Sequence, residues 1–414
     1  MASLRTIQIS NGFRAFRVRN YRLFWIGQLI SFCGTWMQTT AQAWVVYDIT
    51  KSPFSLGLVS TLQFLPIMLL TLFGGVIADR VPKRKIIILT QILALIQAAI
   101  FGLLVATGWV QIWHVYILAT IQGMINAIDN PVRQSFAAEL VSNADRPSAI
   151  ALNSVLFNTA RVLGPAIAGI LIASVGAAIA LFLNAASFLA VISAALLMNP
   201  AEFIVKQTTR RNEAPIGQLV EGLKYARNTP VILVPLIIIA AVGTFGYNFS
   251  VVLPLVGGFV LHTDAAGFGA LSSAFGAGSL IGALLNTLNG KGSLRRLMFG
   301  SIGFSLLLAV LPFSTDLRLS MGLLVLQGLC GVTFTTAAST LIQTTVPDQL
   351  RGRITSLYFL LFAGSTPIGA LVIGSLSDLL NVPDALLICG ILCLVGIAIS
   401  AIYRQRTLRS SVAP

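Results

Sequence analysis

Long apolar stretches recur along almost the whole chain, and no other feature of the sequence constrains the fold so tightly. A helix needs about 20 such residues to cross the hydrocarbon core of a bilayer. The stretches stand near 23–48, 54–79, 85–107, 112–138, 149–174, 177–198, 230–260, 266–289, 295–313, 319–345, 354–377 and 384–403. In lipid every backbone polar group must be paired internally, so each stretch is expected to be a helix. The expected class is an all-α membrane protein with twelve transmembrane helices. Charged residues make up only 10% of the chain, against about 25% in a soluble domain. That excludes a soluble enzyme and a disordered chain. The first stretch is too long for a cleavable signal and is expected to stay as a span.

A net charge of +14 could suggest a nucleic-acid partner. The placement of the charges argues against one. With twelve spans, all but three of the 27 Lys and Arg fall on the side of the N-terminus. Lys51 and Arg318 lie on the other side and Arg161 within a span. Basic residues mark the cytoplasmic face, so both termini are expected to be cytoplasmic. The four cysteines lie in apolar stretches and the only histidines are His114 and His262, so neither a metal site nor a cofactor is expected.

The longest polar interval, 199–229, separates two sets of six spans. It divides the chain into bundles at 1–198 and 230–414. Within it Ile216, Leu219, Val220 and Leu223 recur at helical spacing, which predicts an amphipathic helix on the cytoplasmic interface. The bundles also repeat in sequence. Shifted by 205 positions, Gln122, Gly123, Val141, Arg146, Gly164 and Gly169 fall on Gln327, Gly328, Val346, Arg351, Gly369 and Gly374. Parallel repeats of this kind build one class of secondary transporter, with the substrate site between them.

Between spans two and three stands GGVIADRVPKRK, residues 74–85. It resembles the loop signature of the major facilitator superfamily at Gly75, Asp79, Arg80, Lys83 and Arg84, with Pro82 where that family usually has glycine. The segments at 13–31, 130–141, 151–171 and 346–358 resemble a bacterial branch of siderophore and drug exporters. The resemblance covers essentially the whole chain. It implies a major facilitator fold and export of a small molecule. It also implies that Asp79 locks the cytoplasmic end of span eleven while the neighbouring cations pair with acids, Glu139 being the partner offered for Arg80 or Arg84. Gly164, Pro165 and Gly169 resemble the antiporter signature of span five, with Ala160 and Ala168 in place of two glycines. Close helix packing by small residues accounts for them equally well.

Polar residues in the spans form stripes. Gln28, Ser31, Thr35, Gln38 and Gln42 follow a 3, 4, 3, 4 spacing on one face of span one. Span four carries Gln122, Asn126, Asp129 and Arg133, and span five Ser154, Asn158, Arg161 and Pro165. Tyr247 and Asn248 in span seven and Gln327 and Gln343 in span ten complete the set of cavity candidates, with Trp36 beside Gln38. Such groups face either an aqueous cavity or partner helices. Intramembrane charge is costly and marks function by default. Asp129 and Arg133, one turn apart, either pair structurally or take part in proton coupling with Arg161 competing; Asp48 is the weaker acidic candidate. The expected function is a proton antiporter, working as a monomer, that exports an amphipathic molecule such as a siderophore or drug. The rivals are a facilitator or importer, a membrane enzyme, for which no nucleophile–base set is visible, and a receptor, for which no soluble domain is present.

Overall fold

The computed structural model describes residues 13–204, 215–289 and 292–410, with side chains throughout except at 71–80, 215–220, 287–289, 348–349, 351, 363 and 406–410. The first six long helices are α1 (Arg19–Thr50), α2 (Pro53–Arg80), α3 (Lys83–Ala106), α4 (Ile112–Glu139), α5 (Arg146–Val175) and α6 (Ala177–Leu197). After α7 (Pro215–Arg227) come α8 (Pro230–Phe245), α9 (Phe249–Leu255), α10 (Ala265–Asn289), α11 (Leu294–Val310), α12 (Leu317–Thr345), α13 (Asp348–Ala363), α14 (Thr366–Leu379) and α15 (Val382–Ser410). No strand occurs among the described residues.

Among the described residues nine helical segments are long and apolar enough to cross a membrane, α13 and α14 counting as one, and the end of α7 taken together with α8 makes a tenth. The expectation of twelve spans is therefore only partly carried by length and apolarity. Helices α1 and α4 have the length, 32 and 28 residues, but not the apolarity. The physical reason is the stripe of amides and charges each one carries. Span seven, expected as one helix, is broken at Gly246–Asn248 and continues as α9 and a π-helical turn at Val256–Val260. Span eleven is interrupted at Gly364 and Ser365.

The helices pair in a repeated pattern. In the first set α1 packs on α5 and α6, α2 on α4, and α3 on α4 and α6. In the second set α8 packs on α13, α14 and α15, α10 on α12, and α11 on α12 and α15. Each pairing of the first set thus has its counterpart six spans later. The two sets meet chiefly through α5 with α10 and α2 with α14. Helix α7 turns by 109° into α8. Its Ala226 is buried, Gly222 lies against the backbone of Arg353, and Glu221 pairs with Arg353, while Leu223 is exposed. That arrangement suits a helix with one face on the protein and an apolar side chain turned toward an interface. The side chains of Ile216, Leu219 and Val220 lie outside the described residues.

Candidate functional site

The end of the molecule where α1 begins and α15 finishes, here the terminal end, carries the motif loop. Pro82 has φ −54°, which a proline ring allows, and it leads directly into α3, so no glycine is needed there. Lys83 Nζ lies 2.6 Å from Glu139 Oε1. Arg84 donates to the carbonyls of Ala195 (2.6 Å) and Leu196 (3.1 Å), which are unpaired acceptors at the end of α6. Glu139, expected as the partner of Arg80 or Arg84, thus pairs with Lys83 among the described side chains. Arg84 instead caps a helix whose negative dipole end attracts a cation. The side chains of Asp79 and Arg80, and Gly75 beside them, lie outside the described residues.

Inside the first set, Asp129 and Arg133 of α4 form a buried ion pair, 4% and 8% exposed. Thr90 Oγ1 donates to Asp129 Oδ1 at 2.5 Å and Gln91 Nε2 at 3.3 Å. The Arg133 guanidinium also lies 5.5 Å from the Phe32 ring centre. Thr90 and Gln91 were not singled out by the sequence, although they stand on α3 next to each other at the depth of Asp129. Asp48 is different. It pairs with Lys51 at 3.2 Å, and both side chains are more than half exposed. A surface pair of this kind contributes little.

The stripe of α1 turns inward on its own bundle. Gln38 Nε2 donates to Gln97 (3.2 Å) and Gln38 Oε1 accepts from Asn184 (2.6 Å). Gln42 Nε2 donates to Gln63 Oε1 at 3.1 Å. Gln28 is buried, and Thr35 bonds the carbonyl of Ser31 within its own helix. Cavity lining is thus not what holds Gln38 and Gln42; they bond α1 to α2, α3 and α6. Gln122 donates to Asn126, leaving Oε1 without a partner. Gln343 is exposed and bonds Ser339. Gln327 is fully buried with neither amide atom paired among the described residues.

Arg161 occupies the seam between the two sets. Its guanidinium lies 4.6 Å from the ring centre of Phe275, 5.6 Å from Trp36 and 6.0 Å from Tyr247. These rings belong to α10, α1 and the break between α8 and α9. Arg161, expected as a competitor for Asp129, lies here among aromatic faces. Toward the terminal end of the same helix, Asn158 is half-buried and Ser154 exposed, so a polar stripe runs down from Arg161. Asn248, in the break beside Tyr247, is buried and donates to the carbonyl of Thr244 at 2.7 Å. That bond satisfies one of the carbonyls the break releases.

Beyond Arg161 the sets touch backbone to backbone. A Cβ added to Gly269 would meet the carbonyl of Pro165 at 2.5 Å, and one on Gly57 the carbonyl of Ala370 at 2.6 Å. Gly169 and Gly374 sit equally tightly: a Cβ added to either would lie 2.9 Å from the Cα of Gly269 or Gly57 respectively. Gly164 faces α1, where a Cβ would lie 2.5 Å from that of Trp36. The antiporter-like residues are thus packing surfaces on both sides of α5. Five hydrogen bonds join the sets among the described residues: Tyr47 to Gly258, Ser52 to Asp378, Ser60 with Ser250, Thr61 to Pro367 and Ser273 to Val162. All lie from mid-depth toward the end opposite the termini. No three His, Cys, Asp or Glu side chains converge as metal ligands among the described residues.

Comparison with known proteins agrees with this architecture. The family model described as a transmembrane secretion effector matches residues 10–413. The chain is 24% identical to the staphyloferrin A transporter of Staphylococcus aureus over 89% of its own length and 92% of that protein's. It is also 24% identical to the multidrug efflux pump Tap of Mycolicibacterium fortuitum, covering 92% and 95%. A bacterial homologue of the human lysosomal transporter Spinster, solved in an inward-facing, unoccupied conformation, superposes with a TM-score of 0.76 at 13% identity, covering 97% and 99%. The helical architecture, its repeated pairing and the match along nearly the whole length place this multi-pass membrane protein in the transmembrane secretion effector family of the major facilitator superfamily.

Proposed function

We propose that the protein is a proton-coupled exporter of an amphipathic organic molecule, of siderophore or drug type, in the inner membrane of a bacterium. The bundles at 1–198 and 230–414 are the moving bodies, and the terminal end faces the cytoplasm. The observation that carries this reading is that closure between the sets lies on one side among the described residues. The sets are joined by glycine crossings and hydrogen bonds away from the terminal end, while the polar stripe of Ser154 and Asn158 leads from that end up to Arg161. Polar side chains in a span are tolerated where they line water, and a central site reached from one side at a time is the transporter arrangement. Relatives named as a siderophore transporter and a drug efflux pump support the substrate type. Asp129 is the acid that takes and gives up the proton, because it is the acidic side chain sealed within a span beside a switchable partner, Arg133.

The test uses inside-out membrane vesicles and a panel of siderophores and efflux dyes. Accumulation of a transported member should collapse when a protonophore removes the pH gradient. Asp129→Asn should lose gradient-driven accumulation and keep downhill exchange. Full pH-gradient dependence in the double variant Asp129→Asn, Arg133→Gln would remove Asp129 from the mechanism.

A further inference from the structure

Arg161 is a full positive charge inside the membrane with no acidic partner among the described residues, and its guanidinium donates no hydrogen bond among them. A charge at this depth is retained for a reason. The rings of Phe275, Trp36 and Tyr247 arrive from three separate elements, so the group faces the seam and not lipid. It is only half-buried, which leaves it reachable from the seam. Stacking on an aromatic ring engages the flat face of a guanidinium and leaves its edge free. That edge is a rigid fork of N–H donors that matches a carboxylate in two parallel bonds.

The neighbourhood offers more uncommitted polar groups. The Tyr247 hydroxyl makes no hydrogen bond among the described residues, although its ring is packed against Phe304 and Phe362. Gly331 of α12 lies against that ring, where a Cβ would be 3.3 Å from Tyr247 Cε2. One turn away on the same helix face is Gln327, buried with both amide atoms unpaired. Buried amides are normally satisfied. An orphaned amide, a free phenol and an unpaired guanidinium beside aromatic faces share one complement: a group with oxygen acceptors mounted on a flat ring.

We propose that Arg161 is the recognition point for an organic anion carrying an aromatic ring, its carboxylate held by the guanidinium edge and its ring stacked among Trp36, Phe275 and Tyr247. The inference rests on the reading of the seam as the substrate path and narrows its substrate class. Charge is what selects: a neutral ring of equal size keeps the stacking and loses the fork, and a cation meets repulsion.

The protein is purified, placed in lipid nanodiscs and titrated calorimetrically with 2-naphthoate, 2-naphthamide and 2-naphthylmethylammonium, with empty nanodiscs as the partition control. Naphthoate should bind about tenfold or more tightly than the amide, the worth of a charge-assisted bidentate pair, and the ammonium should bind weakest. Arg161→Gln should bring naphthoate to within about twofold of the amide, and Arg161→Lys should fall between, having charge without the fork. The wild-type comparison needs no variant, so misfolding of Arg161→Gln cannot shield the proposal. Equal binding of naphthoate and amide, preference for the ammonium, no naphthoate binding, or an anion preference that survives Arg161→Gln would each overturn it. Proton coupling is read separately in vesicles. An anion preference without gradient dependence would sink the coupling alone, and gradient-driven transport without an anion preference would sink the recognition site alone.

Discussion

Asp129 and Arg133 are the charged residues that fall in the buried class among the described side chains. Their pairing makes each indispensable to the other. Removing one partner of a buried pair leaves a stranded charge and costs about 3–5 kcal/mol, whereas removing both is far less damaging. Thr90 and Gln91 complete the shell around the carboxylate and would also bond an amide. Asp129→Asn is therefore expected to lower stability by about 3 kcal/mol, with most of the loss recovered in Asp129→Asn, Arg133→Gln, as followed by thermal unfolding in detergent. A double variant no more stable than the single one would mean that Arg133 has another anchor. The sequence placed this pair correctly because one helical turn separates the two residues. The surroundings of Arg161 are not legible there, because spacing along α5 says nothing of which rings α1, α10 and the α8–α9 break bring across.

At the scale of the helices, the internal repeat has a physical counterpart. The sequence shift of 205 that carries Gly169 onto Gly374 also carries Pro165 onto Ala370. In the structure Gly169 and the Pro165 carbonyl meet Gly269, while Gly374 and the Ala370 carbonyl meet Gly57. The two crossings, α5 on α10 and α2 on α14, are the same contact made twice. Small residues let backbones approach this closely in membranes. Gly57→Leu or Gly269→Leu should wedge its crossing apart. In a Ser60→Cys background, where the position is 4% exposed, either change should raise labelling by a maleimide by about tenfold, since opening must now supply what burial withheld. Unchanged labelling would show that the crossings do not hold this end shut. The existence of the helices was legible from apolar length, and the stripes were legible as faces. Which neighbour a face meets was not, because periodicity fixes direction around one axis only. Nor was the break in span seven, since an unbroken apolar run looks the same whether the helix continues or is interrupted at Tyr247 and Asn248.

For the whole molecule, the charge distribution predicts the orientation. The twelve-span reading puts nearly all the Lys and Arg at the terminal end, and among the described residues Lys83 and Arg84 of the motif loop lie there. A cysteine introduced by Asn228→Cys, at an exposed position, should resist a membrane-impermeant maleimide in intact cells and react after permeabilisation. Lys51→Cys at the opposite end should react in both. The reverse pattern would invert the topology and, with it, the side of the membrane from which the proposed path is reached.

The two matched crossings sit on opposite flanks of the seam, and two points fix a line. If the bundles move as the proposed cycle requires, rotation about that line is the motion these two crossings leave free. Distance from that line then acts as a lever arm. Along α5, Arg161 stands about 12 Å from Gly169 and Arg146 about 35 Å. A rotation of about 10° would carry the tip of the helix by about 6 Å and Arg161 by about 2 Å. The mouth can thus change girth widely while the centre scarcely shifts, so tolerance at the entrance and discrimination at Arg161 need not compete within one hinge.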